Sequence, residues 1–116
     1  MPPSWIVMVV NGSGYLVDPT DPQGAQRLGL WPIVDVREAW DGLMLWSFDR
    51  LLAVSEVGVA WMSAKVCLDD LEVLEITDDA VRCRGVFVPG DASEFVLSAD
   101  DGSLVAGSAY REPFRR

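Results

Sequence analysis

Apolar residues in this chain recur at every second position far more consistently than at every third or fourth. Over 80–88, Val81, Cys83, Gly85 and Phe87 fall on one side of an extended backbone, and Arg82 and Arg84 on the other. Over 43–48, Leu43, Leu45 and Ser47 face one way and Met44, Trp46 and Phe48 the other. Both sides of that segment are largely apolar, the pattern of a central strand covered twice or of an interface strand. A helix needs apolar residues three and four apart over several turns. Only 64–74 approaches this, through Val66, Cys67, Leu71 and Leu74, and its β-branched residues and flanking turns favour strand or irregular structure.

Turn chemistry separates the extended runs. The run 4–10 stops at Asn11-Gly12-Ser13-Gly14 and resumes at Tyr15-Leu16-Val17, a hairpin signal. Further hairpins are expected around Glu56-Val57-Gly58, Thr77-Asp78-Asp79 and Ala99-Asp100-Asp101-Gly102. Residues 18–30 contain Pro19, Pro22 and Gly24 and are expected to be a loop. Extended character returns at 31–36, and 37–42 is expected to form a short helical turn or a loop around Trp40. The segment 110–116 contains Pro113 and ends on two arginines, which predicts a flexible tail. The chain has 116 residues, one domain's worth. The expectation is a single all-β domain over 1–116: antiparallel stacked hairpins forming a small sandwich or barrel.

Gly14, Gly58 and Gly102 are spaced by 44 residues and again by 44. An aliphatic residue stands five before each glycine (Val9, Ala53, Leu97), and a large or branched apolar residue three after each (Val17, Trp61, Val105). This spacing predicts that each glycine occupies the turn of a hairpin. Residues 51–61 and 95–104, with their polar-glycine turns and Trp61, resemble blades of PQQ-type β-propellers. The resemblance covers residues 51–107 and implies a propeller-blade-like meander. Trp61 stands one position closer to its glycine than the blade pattern has it, and Val105 replaces the second tryptophan. A closed propeller takes four or more blades of about 40–45 residues, more chain than is present. No quinone or other cofactor is therefore expected.

Eighteen acidic residues stand against nine basic ones, for a net charge of −9. Such a surface repels polyanions, so binding to nucleic acid or to anionic membranes is not expected. The run 5–10 is too short to span a membrane. The opening Met-Pro-Pro-Ser-Trp lacks a basic leader, and a cytoplasmic location is expected. Lysine occurs once against eight arginines, a codon bias of GC-rich bacteria. Cys67 and Cys83 form no C-x-x-C and have no histidine beside them, so reduced, buried thiols are expected and no metal site is.

Histidine is absent altogether, which removes Ser-His and Cys-His nucleophilic chemistry. Gly12-Ser13-Gly14 lacks the third glycine of a dinucleotide loop and the outer glycines of a nucleophile elbow, and reads as turn chemistry. No carboxylate pair is singled out, so no catalytic residue is assigned and no enzyme is expected. The acids concentrate instead. Asp69, Asp70, Glu72, Glu75, Asp78 and Asp79 fall within eleven residues that hold no base. Trp40, in the polar context Arg37-Glu38-Ala39-Trp40-Asp41-Gly42, is the tryptophan expected to be an exposed anchor. These seven residues form the expected partner-binding set. The function they point to is non-catalytic binding of a basic protein, as by a bacterial immunity or inhibitor protein. A small-molecule-binding barrel and a self-assembling structural β module are the alternatives, and homodimerisation is a further expectation.

Overall fold

A computed structural model describes residues 5–111. The chain is all-β, and among the described residues there is no helix. Eleven strands follow one another: β1 (Ile6–Val10), β2 (Ser13–Asp18), β3 (Asp21–Arg27), β4 (Asp35–Ala39), β5 (Gly42–Trp46), β6 (Leu51–Ser55), β7 (Gly58–Met62), β8 (Asp69–Ile76), β9 (Ala80–Val88), β10 (Asp91–Ser98) and β11 (Leu104–Gly107). They make three open antiparallel sheets, ordered β1-β2-β3, β4-β5-β6-β7 and β11-β10-β9-β8. Within each sheet every strand pairs with the next in sequence, so each sheet is a pure meander. By its internal contacts the chain divides into two compact units, one of residues 5–47 and 51–62, the other of 48–50 and 63–111.

The first unit holds the first two sheets. Asn11 and Gly12 take φ of 51° and 81°, the sign pattern of a two-residue hairpin turn matched to strand twist, and Val10 pairs with Ser13 across it. One apolar layer joins the two sheets: Leu16 from β2, Leu28, Leu30 and Ile33 from the connection after β3, and Leu45, Leu52 and Val54 from β5 and β6. Trp5, Val7 and Leu43 pack on its margin. That connection is anchored by backbone bonds from Leu28 N–H to Gly14 O (2.8 Å) and from Ile33 N–H to Gly12 O (2.8 Å). As its sequence suggests, β5 is central and buried on both faces, through Leu45 on one and Met44 and Trp46 on the other.

Several expectations for this unit are corrected. The segment 18–30 is not a loop, because Asp21–Arg27 forms β3, pairing Tyr15 with Arg27 and Leu16 with Gln26. Pro22 has no N–H to donate, but β3 is an edge strand, where that is tolerated. The 37–42 segment is neither helical turn nor loop. Strand β4 runs to Ala39, Trp40-Asp41 make a two-residue turn, and Gly42 opens β5 opposite Ala39. Extended pairing resumes at Asp35 rather than at Trp31. Gly14 lies within β2 opposite Val9 and not in a turn. A Cβ there would collide with the Ile33 side chain, so the close approach of the 28–33 connection accounts for the glycine. The 44-residue spacing therefore does not mark equivalent turns.

The second unit holds the third sheet. Leu71, Val73, Val81, Cys83, Phe95 and Leu97 are buried in it, together with Cys67 from the segment before β8. The alternation read over 80–88 holds: Val81, Cys83 and Gly85 are buried, Arg82 and Arg84 exposed. The β9–β10 hairpin turns at Pro89-Gly90, with Val88 opposite Asp91. This turn adds a hairpin to those expected around Thr77-Asp78-Asp79 and Ala99-Asp100-Asp101-Gly102. Residues 63–68 are held by Val66 N–H to Asp49 O (2.9 Å) and Leu68 N–H to Val86 O (2.7 Å). Tyr110, expected in a flexible tail, packs edge-on against Phe87 at 6.1 Å and lies beneath Lys65 Nζ at 5.3 Å. The rest of that tail, from 112 on, lies outside the described residues.

Candidate docking surface

The six acids that are continuous in sequence separate into three groups in the third sheet. Glu72 and Glu75 lie on the exposed face of β8, where the ladder places Arg84 and Arg82 opposite them. Arg82 Nε is 3.5 Å from Glu75 Oε1, and Arg82 Nη1 donates to Glu94 Oε1 of β10 at 3.0 Å. Glu94, then Glu75, hold the Arg82 guanidinium even more firmly protonated than usual. The face is thus a row of alternating charge in which two of the six acids already face a base.

Asp69 and Asp70 stand at the start of β8, where the ladder shifts register and Asp70 takes φ of 56°. The Asp70 N–H donates to Asp69 Oδ1 at 2.8 Å. This end of the sheet is marked by the pair Asp69–Val86, whereas Asp78 and Asp79 lie beyond the pair Ile76–Val81. Five residue steps along β9, from Val81 to Val86, separate those pairs, roughly 17 Å at about 3.4 Å per step. That is about two Debye lengths in physiological salt, so the two ends act as separate fields.

At the far end the structure adds two acids that sequence proximity did not. Ala99 N–H donates to Asp79 O at 2.9 Å, joining the β8–β9 turn to the β10–β11 turn. Asp78, Asp79, Asp100 and Asp101 therefore stand at one end of one sheet, all exposed, in two turns without a base. Each turn closes on itself. Thr77 Oγ1 accepts from Ala80 N–H at 3.2 Å, and Asp101 Oδ1 from Ser103 N–H at 2.9 Å. The Ser103 hydroxyl, then its N–H, hold the Asp101 carboxyl below its ordinary range, so it stays ionised in mildly acidic solution. Asp100 and Asp101 read locally as ordinary turn residues, and only the pairing of distant turns reveals the concentration.

Trp40 belongs to the first unit. It is 40% exposed, and its ring packs on Trp61 with centroids 6.4 Å apart at 54°. Its φ of 53° is a left-handed conformation that a bulky side chain seldom adopts. Trp31, next to Pro32, is more exposed at 65% and was not singled out by its sequence context. Trp46 and Trp61 are buried. Among the described residues no group of histidine, cysteine, aspartate or glutamate is arranged to hold a metal ion, the aspartate end included. Comparison with protein-family models, with curated proteins and with solved structures gave no match.

Proposed function

We propose that this chain is a non-catalytic protein-binding module that docks on a basic partner, with the Asp78-Asp79 and Asp100-Asp101 turns as its point of electrostatic contact. The observation that carries this reading is the bond from Ala99 to Asp79, which brings two acidic turns from distant parts of the sequence to one sheet end. Four carboxylates on short, hydrogen-bonded turns lose little freedom when a cation approaches. A lysine- or arginine-rich surface is the complementary chemistry, and long-range attraction would act mainly on the encounter rate. An immunity or inhibitor protein that covers a basic enzyme surface is the specific form of this reading.

The test replaces Asp78, Asp79 and Asp100 with Asn and leaves Asp101, because its carboxylate closes a turn. Association with the partner captured from native cell extract should slow by about tenfold at low salt, and the difference should shrink as salt rises. The circular dichroism spectrum should not change. Equal association rates for the parent and the folded variant at low salt would reject the reading.

A further inference from the structure

The three sheets have six edges, and five of them carry a feature that discourages a further strand from pairing. Edge β3 contains Pro22 and a register shift against β2. Edge β4 carries Asp35, Arg37 and Glu38. Edge β8 carries four acids and two register shifts. Edges β7 and β11 are uncharged, but each pairs with its neighbour through a shifted register. Edge β1 has none of these features. Its sequence is Ile6-Val7-Met8-Val9-Val10, without charge, proline or glycine, and it pairs with β2 in unbroken register along its whole length. Ile6, Met8, Val9 and Val10 are 48%, 48%, 42% and 52% exposed.

We infer that β1 pairs with β1 of a second copy of this chain, antiparallel about a two-fold axis through Met8. The strand is complementary to its own reverse. Met8 would meet Met8 of the second copy, Val7 would meet Val9, and Ile6 would meet Val10, so every cross-strand pair is apolar and the outer pairs are β-branched. Val7 already packs on the core of the first unit, so the Val7–Val9 pairs extend an existing apolar layer. The strand itself carries no charge, so it does not repel a second copy locally, although the −9 of each chain weakens the pairing at longer range. A basic partner gains nothing from this edge. One five-residue edge buries less than the roughly 1,200 Å² of a standard interface, so the pairing is reversible and concentration-dependent.

Sedimentation velocity of the full chain from about 5 µM to about 1 mM should show the mass rising from one chain to two. Raising the salt should strengthen the association by screening the mutual repulsion. Met8→Lys, which sets two ammonium groups opposite each other at the axis, should remain monomeric. Val59→Lys on β7 should dimerise like the parent. If Met8→Lys does not fold, register can be read by cross-linking. Met8→Cys should form a disulfide-linked dimer with diamide, because directly opposed residues lie about 4.5–5.5 Å apart at Cα. Ile6→Cys should not, because the two copies of position 6 are offset by four residues, roughly 13 Å. A parent chain that stays monomeric at about 1 mM overturns the inference. So does a dimer unaffected by Met8→Lys, or cross-linking as efficient at position 6 as at position 8. Concentration-independent protection of the outward-facing Val7 and Val9 amides in a monomer would mean that another segment of the chain covers the edge, and also overturns it.

Discussion

Cys67 occupies the space that a side chain at Gly85 would need. A Cβ at position 85 would lie 2.6 Å from Cys67 Sγ and 2.7 Å from Cys67 Cβ. Cys67 is fully buried, and Phe48 O accepts from its thiol at 3.5 Å, so it has no open space to retreat into. Gly85→Ala should therefore destabilise the chain by about 1–3 kcal/mol, the range for overpacking a core. Urea unfolding of the two proteins checks this, with an unchanged m-value expected.

The same thiols set a limit at high pH. Burial, then the charge of Asp49, pushes Cys67 up from 9.0 to about 11, and burial, then Cys67, pushes Cys83 up to about 12. Above pH 9 the unfolded chain loses these protons while the folded chain keeps them, so the folded state binds more protons and stability falls as pH rises. The decline should begin near pH 9 and continue until the folded thiols themselves ionise. Chemical denaturation between pH 8 and pH 11 should show it in the parent and a shallower decline in Cys83→Ala. Alkylation at pH 8 should be slow in the native protein and should label two thiols after denaturation.

Trp40 separates backbone strain from binding. Trp40→Ala keeps the left-handed backbone and loses the ring contact with Trp61, so it should be destabilising. Trp40→Gly loses the same contact but releases strain of about 1–2 kcal/mol. Glycine should therefore be the more stable replacement at this left-handed turn position, and thermal melts of the two variants decide it. If Trp40 also anchors a partner, both variants should lose affinity equally.

The charged row on the third sheet should respond to salt. Arg82→Gln removes the bridge to Glu94 and Glu75 and leaves three carboxylates facing Arg84 alone. These side chains are exposed, so the effect should be a small fall in thermal midpoint at low salt that vanishes in molar salt. A fall that persists in molar salt would mean that Arg82 acts through packing of its stem.

Much of this architecture is local and could be read locally. Asn11-Gly12, Glu56-Val57-Gly58 and Asp100-Asp101-Gly102 announce their turns, and the alternation over 80–88 identifies both faces of β9. Strand β3 escaped because its proline and glycine mimic a loop. Such residues rule out a central strand, and only the sheet order shows that β3 is an edge. The Trp40-Asp41 turn escaped because its positive φ falls on a tryptophan rather than on glycine or asparagine. The acidic surface was legible in charge but not in geometry. Arg82 and Arg84 lie outside the base-free window yet face Glu75 and Glu72 across the ladder. Asp100 and Asp101 join Asp79 only through a contact twenty residues distant in sequence.

The meander order also governs how the chain can be made. No strand waits for a partner encoded far downstream, since each ladder joins consecutive segments through a short connection. On a ribosome, β2 emerges to find β1 already outside, and the same holds at every later hairpin. The entropy of closing each connection is small, which favours quick pairing for an all-β chain. The first sheet is complete once Arg27 has cleared the exit tunnel, and from then on its β1 edge is presented to other nascent copies on the same messenger.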